Sequence, residues 1–246
     1  MGPVLMKLCV FSDIHGNGFA FDAALEKILS ERADFNFFLG DFCGYFFNQN
    51  EIFKKLKAIP NLIYLRGNHD DLLLRVADGE KGLLSQYTQK YGRSMEHLLD
   101  QDIKEIIEWL RSAPDFYVNK ELNCYACHGS PWDHLDGYVY PDTAIKKFAD
   151  YPQTLFLMGH THYPMVRKFG GKMIVNPGSI GQPRHGGQAS YAVIDMNSFI
   201  VAFKEIVYDK TKLAKEIERL DGSNMYLKNI IHRRKNAETQ HINHSC

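Results

Sequence analysis

The first third of the chain alternates between short apolar runs and segments with helical spacing, and this alternation restricts the fold more than any other feature. Residues 7–12, 35–40 and 61–67 are predicted to be buried strands. Residues 20–31 and 50–59 lie between them and carry apolar side chains at helical spacing. Strands separated by helices favour a largely parallel sheet, so the sequence predicts an α/β fold.

The pattern changes after the third predicted strand. Residues 71–112 are mostly helical, and residues 95–112 form one predicted helix that Pro114 ends. Short strands separated by tight turns follow, which indicates antiparallel hairpins. These strands are predicted at residues 124–128, 154–158, 165–169, 173–176, 191–195 and 199–207.

The organisation of the chain favours one domain. A length of 246 residues fits one large α/β domain, and the sequence contains neither an internal repeat nor a linker rich in Pro, Gly or Ser. A last helix is predicted at 210–220, and the polar residues 232–246 are expected to form a loose tail. We therefore expect a single domain over 1–246, with residues 71–112 as a helical insertion.

The charge balance and the apolar runs exclude several classes of protein. Lys plus Arg and Asp plus Glu both total 29, and this zero net charge argues against binding that depends on covering a nucleic-acid backbone. The apolar runs are too short for a membrane span, and the N-terminus lacks a secretory pattern. Five scattered cysteines do not form a disulfide framework. These features predict a cytoplasmic protein, whereas its oligomeric state is not predicted.

The stretch "CYAC" places Cys124 and Cys127 at the spacing of a redox pair. A β-strand would point the two sulfurs to opposite faces of a sheet, where they could not react with each other. We therefore favour two buried, small apolar residues over a redox pair.

Polar residues follow immediately after six of the predicted strands. The carboxyl ends of strands in α/β sheets line the ligand crevice. The residues concerned are Asp13, His15, Asp41, Asn68, His69, Asp70, His128, His160, His162 and Asn176. Glycines accompany most of these clusters and let the backbone turn sharply. We expect these side chains to meet at one rim of the molecule.

Seven of these residues form a candidate metal-binding set. Singly, each of them is more often a turn, capping or hydrogen-bonded loop residue. Together they offer imidazole and carboxylate ligands without a recurring thiolate, which suits Mn, Fe, Zn or Ni, with manganese favoured here. Seven ligands are too many for one ion and fit two divalent ions that share a bridging carboxylate. The candidate ligands are Asp13, His15, Asp41, Asn68, His128, His160 and His162.

The stretch "GHTH" brings two imidazoles close together. Alternate residues of an extended segment point the same way, about two rises of 3.3 Å apart. On that geometry His160 and His162 would each lean onto one of two neighbouring ions, with Thr161 turned away.

The order of these motifs resembles that of the calcineurin-like metallophosphoesterase superfamily. The motifs are Asp-x-His at 13–15, Gly-Asp at 40–41, Gly-Asn-His-Asp at 67–70, His128, and Gly-His-x-His at 159–162. The resemblance runs from Leu5 to about Val207, and "NPGSIGQPR" at 176–184 is similar to the small bacterial and archaeal phosphodiesterase branch. It implies a four-layer α-β-β-α sandwich of two packed mixed sheets flanked by helices, with the active site at the carboxyl ends of the strands.

The resemblance also implies roles for the site residues. Asp13, His15 and His162 would bind one metal ion, and Asn68, His128 and His160 the other. Asp41 would bridge the two ions. A metal-bridging hydroxide would attack the phosphorus, and His69 would be the general acid for the leaving oxygen. Asp70 would either hold the imidazole of His69 or be the N-cap of the following helix.

The chain departs from the family at the usual phosphate clamp. Serine/threonine protein phosphatases and diadenosine tetraphosphatases carry a second aspartate and an arginine after Gly-Asp, where this chain reads "GDFCGYF". Arg66 would substitute as a substrate-binding residue, or else tie loops together. Arg184 would bind substrate phosphate at the rim of the site, with a lesser role for His185, or else belong to an ordinary turn.

Further aromatic residues are candidates for the substrate pocket. Trp132, His134 and Tyr138 follow His128 closely and would form one wall of the pocket, or else pack in the core. The insertion at 71–112 carries Tyr87, Tyr91, Arg93 and Trp109 and is the expected specificity element.

The sequence therefore predicts a metal-dependent hydrolase, a phosphodiesterase or phosphomonoesterase that acts on a small phosphate ester or a nucleotide. A nuclease is the first alternative, and a protein phosphatase or dinucleoside tetraphosphatase the second. The third is a non-catalytic scaffold such as the small subunit of retromer, which shares the fold. The scaffold hypothesis predicts the loss of site residues, whereas His69 and all seven candidate ligands are present.

Overall fold

The computed structural model of the protein describes residues 6–231, and the tail predicted at 232–246 lies outside the described residues. The strands are β1 Lys7–Phe11, β2 Phe35–Phe38, β3 Leu62–Tyr64, β4 Phe116–Asn119, β5 Cys124–Cys127, β6 Leu155–Leu157, β7 Pro164–Phe169, β8 Lys172–Pro177, β9 Ala189–Asp195 and β10 Ile200–Ile206. The α-helices are α1 Gly18–Ser30, α2 Gln49–Lys57, α3 Asn68–Ala77, α4 Leu83–Tyr91, α5 Ser94–Leu99, α6 Lys104–Ser112, α7 Lys210–Asp221 and α8 Met225–Ile230.

The strands form two five-stranded mixed sheets. Sheet 1 has the order β10-β9-β1-β2-β3, in which β1, β2 and β3 are parallel and β9 and β10 are antiparallel to their neighbours. Sheet 2 has the order β4-β5-β6-β8-β7, in which β5, β6 and β8 are parallel and the two edge strands antiparallel. The parallel sheet and the later antiparallel pairs that the sequence predicts are therefore confirmed.

The two sheets pack face to face through alternate residues of their strands. Leu8 and Val10 of β1 and Leu155 and Leu157 of β6 belong to the same fully buried core. Their neighbours Cys9 and Phe11 point the other way, toward the helices on the outer face of sheet 1. Because side chains alternate along a strand, continuous apolar runs produce strands that are buried on both faces. The four-layer α-β-β-α fold is thus confirmed.

The outer layer on sheet 2 is much thinner than the helical layer on sheet 1. It consists of a long loop and a 3-10 helix at Lys146–Asp150, whose Phe148 packs on Phe156 at a ring-centroid distance of 4.9 Å. Cys124 and Cys127 lie on opposite faces of this sheet, as predicted, and both are buried. Burial raises the pKa of both thiols, which disfavours the reactive thiolate.

The helical segment differs from its prediction at two points. Helix α3 begins at Asn68, three residues before the predicted start, because the Asp70 carboxylate accepts a hydrogen bond from the backbone N–H of the N-cap residue Gly67 at 3.0 Å. The predicted helix at 95–112 is two helices, α5 and α6. The side chain of Asp102 accepts a hydrogen bond from the backbone of Lys104 at 3.3 Å and so competes with continuous helix.

Strand β4 and helix α8 were not predicted from the sequence. Strand β4 is an edge strand in which Phe116 and Val118 face solvent. Apolar residues therefore occupy its exposed positions, where a sequence pattern would lead one to expect polar residues. Helix α8 has only six residues, and the side chain of Asn224 caps it by accepting from Leu227 N at 3.1 Å. Among residues 6–231, none of the helices is both long enough and apolar enough to cross a bilayer.

Candidate metal centre

The predicted ligands converge at one edge of the double sheet, from loops that follow five different strands. The loop after β1 carries Asp13 and His15, and the loop after β2 carries Asp41. Asn68 and His69 lie in the first turn of α3, and His128 directly follows β5. The loop between β6 and β7 carries His160 and His162. Except for Asn68, all of these side chains are buried.

Five of these residues have left-handed backbone conformations. Their φ angles are 56° for Asp13, 50° for His15, 60° for Asp41, 66° for His160 and 63° for His162. A non-glycine residue in this region costs about 1–3 kcal/mol, and such residues cluster at functional sites. The expectation that "GHTH" is extended is therefore wrong, because His160 and His162 both have left-handed backbone conformations.

The strained loops are fixed to one another by backbone hydrogen bonds. Asp13 N donates to Gly40 O and His15 N donates to Asp41 O, both at 3.0 Å. The Asp13 carboxylate in turn accepts from His160 N at 3.1 Å. These bonds connect loops from both sheets, so the surrounding structure maintains the unusual dihedral angles.

Asp13, His15 and His162 form the first group of candidate ligands. Their ligand atoms all lie within 4.8 Å of one another. His15 Nε2 lies 3.0 Å from His162 Nε2, and Asp13 Oδ1 lies 3.1 Å from His162 Nε2. His15 Nδ1 faces the backbone carbonyl of Cys43 at 2.9 Å, and His162 Nδ1 faces that of Gln182 at 2.6 Å. A proton held on Nδ1 leaves the Nε2 lone pair directed into the group.

Asp41, His128 and His160 form the second group, with Asn68 beside it. Asp41 Oδ2 lies 3.3 Å from His128 Nε2, and His160 Nδ1 lies 3.2 Å from the same nitrogen. Asn68 Oδ1 is 3.1 Å from His128 Nε2. The backbone carbonyl of Leu39 faces His128 Nδ1 at 2.8 Å and orients this ring in the same way.

The spacing of these atoms fits metal ligation. Ligands about 2.1 Å from an ion at octahedral or tetrahedral angles lie about 3.0–3.4 Å apart, close to the separations in both groups. Asp13 Oδ1 is buried without a hydrogen-bond partner. Asp41 Oδ2 lies 3.6 Å from His15 Nε2 as well as 3.3 Å from His128 Nε2, so this carboxylate faces both groups. The ligand atoms of His15, Asp41 and His69 also lie within 4.8 Å of one another.

Each group draws ligands from both sheets. Asp13 and His15 follow a strand of sheet 1, whereas His162 follows a strand of sheet 2. In the second group Asp41 comes from sheet 1, and His128 and His160 come from sheet 2. The centre therefore bridges the open end of the core between the sheets.

The electrostatics keep both carboxylates ionised in spite of burial. Burial opposes the charge on Asp13, but His162 and His15 outweigh it and hold its pKa well below the usual range. The pKa of Asp41 is likewise lowered, mainly by His128. Burial would lower the pKa of His128, but Asp41 raises it to about 9. Burial lowers the pKa of His160 to about 3 and that of His162 to about 4, so both are neutral, whereas His128 would release its proton when an ion binds.

His69 lies beside the two groups. Its backbone N–H donates to Asp41 Oδ1 at 2.8 Å, and its ring centroid lies 4.9 Å from those of His15 and Tyr45. Burial lowers the pKa of the imidazole to about 3. Its Nδ1 atom is buried without a hydrogen-bond partner.

Asp70 contacts the backbone. Its carboxylate accepts from the N–H groups of Asp41, Cys43 and Gly67 at 2.8, 3.0 and 3.0 Å. It is neither the N-cap residue, which is Gly67, nor a hydrogen-bond partner of the buried His69 Nδ1. Asp70 is a positioning residue that joins the first turn of α3 to the loop of the bridging carboxylate.

The two candidate substrate-binding arginines differ in their contacts. The Arg66 guanidinium donates to Asp115 Oδ1 through Nε at 3.0 Å and through Nη2 at 2.5 Å, which supports the structural alternative for this residue. Arg184 donates from Nη2 to the hydroxyl of Tyr45 at 3.2 Å and from Nε to Gln182 Oε1 at 3.3 Å. Tyr45 packs against His15 and His69, so Arg184 is at the rim of the centre.

The candidate pocket aromatics also separate into two sets. Trp132 packs edge-on against Phe148, and His134 hydrogen-bonds to Tyr125, so both contact sheet 2. Tyr138 instead lies against His160, with 4.2 Å between ring centroids, and is 50% exposed.

Within the insertion, Tyr87 and Tyr91 approach the His69 ring to 6.1 and 5.5 Å. Trp109 stacks on Tyr64 at 4.3 Å in the helical layer, and Arg93 pairs with Glu96 at 3.0 Å. Only the two tyrosines of this set therefore contact the surroundings of the centre.

Three site residues were missed from the sequence. Tyr45 stands between His69 and Arg184, Gln182 orients His162, and Tyr226 of α8 packs 5.9 Å from Tyr45. Tyr45 lies four residues after Asp41, and that proximity was the available signal. Tyr226 is 157 positions from His69 and gives no local signal.

Known proteins resemble this chain over most of its length. A family profile described as the calcineurin-like phosphoesterase superfamily domain matches residues 6–198. An uncharacterized protein of Methanocaldococcus jannaschii is 31% identical over 238 residues, which cover 87% of this chain and 93% of the relative. The crystal structure of a metallophosphoesterase from Sphaerobacter thermophilus superimposes with a TM-score of 0.78 at 24% identity, over 94% of this chain and 99% of that chain. A hypothetical protein from Pyrococcus horikoshii OT3 has a TM-score of 0.77 at 26% identity, over 94% and 100%.

Proposed function

The chain belongs to the calcineurin-like phosphoesterase superfamily, and on that premise we propose that it hydrolyses small phosphate esters at a dinuclear metal centre. The observation that carries this proposal is the pair of buried ligand groups that share the Asp41 carboxylate. One group is Asp13, His15 and His162 with Asp41, and the other is Asn68, His128 and His160 with Asp41. Manganese is the favoured metal, and Fe, Zn and Ni suit the same donors.

Two divalent ions in these groups would supply Lewis acidity for a phosphoryl oxygen and a nucleophile derived from water near neutral pH. The protein supplies the rest of the chemistry. Backbone carbonyls hold His15, His128 and His162 with their Nε2 lone pairs directed inward. Arg184 provides positive charge at the rim for the substrate phosphate.

We assign the proton for the leaving oxygen to His69. Its position beside both groups supports this role, since a general acid must lie within reach of the departing oxygen. The buried ring is neutral near pH 7, because burial lowers its pKa to about 3. A bound phosphate ester would bring negative charge next to the His69 ring and so raise its pKa. Substrate binding therefore favours the protonated form of His69.

The test is hydrolysis of bis-p-nitrophenyl phosphate by protein loaded separately with Mn, Fe, Zn and Ni, together with metal analysis. We expect up to two ions per chain and hydrolysis that a chelator abolishes. Protein that binds no stoichiometric metal and hydrolyses no phosphate ester would contradict the proposal. Rapid degradation of single-stranded DNA with manganese, alongside weak activity on small diesters, would favour a nuclease instead.

A further inference from the structure

Tyr138 is an exposed aromatic residue at the edge of the buried metal centre. Its ring centroid lies 4.2 Å from that of His160, a candidate ligand of the second group, at an interplanar angle of 44°. Half of its surface, 50%, remains exposed. An exposed tyrosine ring in contact with a buried ligand offers an apolar surface that the substrate can cover.

The Tyr138 ring is supported from the protein side. Tyr140 lies parallel to it, with an interplanar angle of 7° and ring centroids 5.6 Å apart. Tyr140 in turn packs edge-on against Tyr163, which directly follows the candidate ligand His162, at 5.9 Å. These contacts restrict the Tyr138 ring, and a preorganised ring loses little conformational entropy when a ligand stacks on it.

Tyr138 and Tyr140 form one aromatic wall, on the His160 side of the centre, and a second aromatic wall lies on the His69 side. Tyr91 and Tyr226 pack 5.8 Å apart and both contact Tyr45. Lys90 Nζ lies 4.7 Å from the centroid of the Tyr91 ring. Contact with Tyr91 raises the pKa of Lys90, so a positive charge lies beside this wall.

The side chains around the centre favour a ligand that combines a planar, aromatic group with an anion. Lys90 and Arg184 supply positive charge, and the tyrosine rings offer π faces. Stacking of a base on an aromatic side chain does not require a particular base, because every base has a π face. A lipid tail would instead need a continuous aliphatic surface, and the side chains named here are aromatic or cationic.

We propose that Tyr138 is a specificity-determining residue and that it stacks on the base of a nucleotide whose phosphate lies at the metal centre. The inference rests on the proposed function for the position of the phosphate. A base lies one ribose away from its 5′-phosphate, and the imidazole ring of His160 would separate Tyr138 from an ion bound by the second group. The substrate class is thereby narrowed from small phosphate esters to nucleotides.

The test compares two ligands that share ribose and phosphate and differ only in the base. Binding of adenosine 5′-monophosphate and of ribose 5-phosphate is measured by isothermal titration calorimetry on manganese-loaded protein that carries His69→Ala, because this substitution should slow hydrolysis of both alkyl esters. We expect the nucleotide to bind about tenfold or more tightly than the sugar phosphate. In Tyr138→Ala this advantage should disappear while binding of ribose 5-phosphate stays unchanged, and in Tyr138→Phe the advantage should remain.

Phe169→Ala is the matched control, because Phe169 is also exposed but lies opposite Lys172, at the end of β7 that faces away from the centre. It should retain the full preference for the nucleotide. Equal affinities of the two ligands in the protein that retains Tyr138, or a preference that survives when Tyr138→Ala is added, would overturn the inference. Hydrolysis of bis-p-nitrophenyl phosphate, measured on the same preparations, tests the proposed function separately.

Discussion

At the scale of single residues, the centre depends on a few atoms whose orientation is fixed by the backbone. Carbonyl oxygens of Cys43, Leu39 and Gln182 orient three imidazoles, and three backbone N–H groups hold Asp70. Residues next to the ligands thus contribute through their main chain. Substitutions of these side chains should therefore lower activity less than substitutions of the ligands themselves.

His69→Ala should slow hydrolysis of esters with poor leaving groups by about 10²–10⁴-fold, because the departing alkoxide needs a proton. Esters of p-nitrophenol should be nearly spared, since p-nitrophenolate leaves without one. Steady-state kinetics on a matched alkyl and p-nitrophenyl pair gives the comparison, with His97→Ala as the control outside the centre. Equal losses on both esters, together with the loss of one metal ion, would instead make His69 a ligand in the group it forms with His15 and Asp41.

Asp41→Asn should lower the metal content of the purified protein and its activity together. The amide keeps the shape of the side chain and can still accept the hydrogen bond from His69 N, but it lacks the charge that faces both groups. Metal analysis of dialysed protein measures the loss. Asp136→Asn, on an exposed residue of the loop after His128, is the control and should retain its metal. Full metal occupancy in Asp41→Asn would exclude a bridging role.

At the scale of elements, the C-terminal helices α7 and α8 are held against the insertion by polar contacts. Asn224 Nδ2 donates to Tyr91 O at 3.0 Å, and Arg93 N donates to Asp221 Oδ2 at 3.0 Å. The family profile ends at residue 198, before both helices. Their contacts nevertheless place Tyr226 against Tyr91 and Tyr45, so a segment outside the matched region contributes to the wall of the site.

Gly92→Ala should destabilise this junction. Gly92 has a φ of 96°, a conformation that costs about 1–3 kcal/mol for another residue. A Cβ atom there would also lie 1.8 Å from Asn224 Nδ2. We expect a melting temperature several degrees lower, measured by differential scanning calorimetry. Gly79→Ala has a similar φ of 85° with no atom near the added Cβ, so it isolates the backbone strain and should be milder. Equal effects of the two substitutions would show that the junction with α8 contributes nothing.

At the scale of the whole molecule, bound metal should contribute to stability. Each site that is occupied at a free metal concentration 100 times its Kd adds about 2.7 kcal/mol to the free energy of unfolding. Removal of metal with a chelator should therefore lower the melting temperature, and manganese should restore it. A melting temperature that does not respond to chelator or to any of the four metals would contradict the assignment. Asp41→Asn should respond much less to added metal than the unsubstituted protein.

The sequence predicted the parallel sheet and the later antiparallel pairs because apolar runs and helical spacing are local patterns, whereas the packing of two sheets was an implication of the family resemblance. It did not predict the left-handed backbone of His160 and His162, which is maintained by contacts such as that between His160 N and Asp13. Strand β4 and Tyr226 were missed for a related reason. Their positions depend on partners far along the chain, which leave no periodic pattern in the local sequence.

The division of each ligand group between the two sheets has a further consequence. Residues 6–112 contain Asp13, His15, Asp41 and Asn68, whereas residues 116–231 contain His128, His160 and His162. Under the proposed assignment of four ligands to each ion, neither fragment of the chain holds all the ligands of either ion, although His15, Asp41 and His69 in the first fragment also lie within ligand distance of one another. If two ions bind as we propose, metal uptake would be coupled to docking of the two halves, and the ions would act as non-covalent cross-links between them.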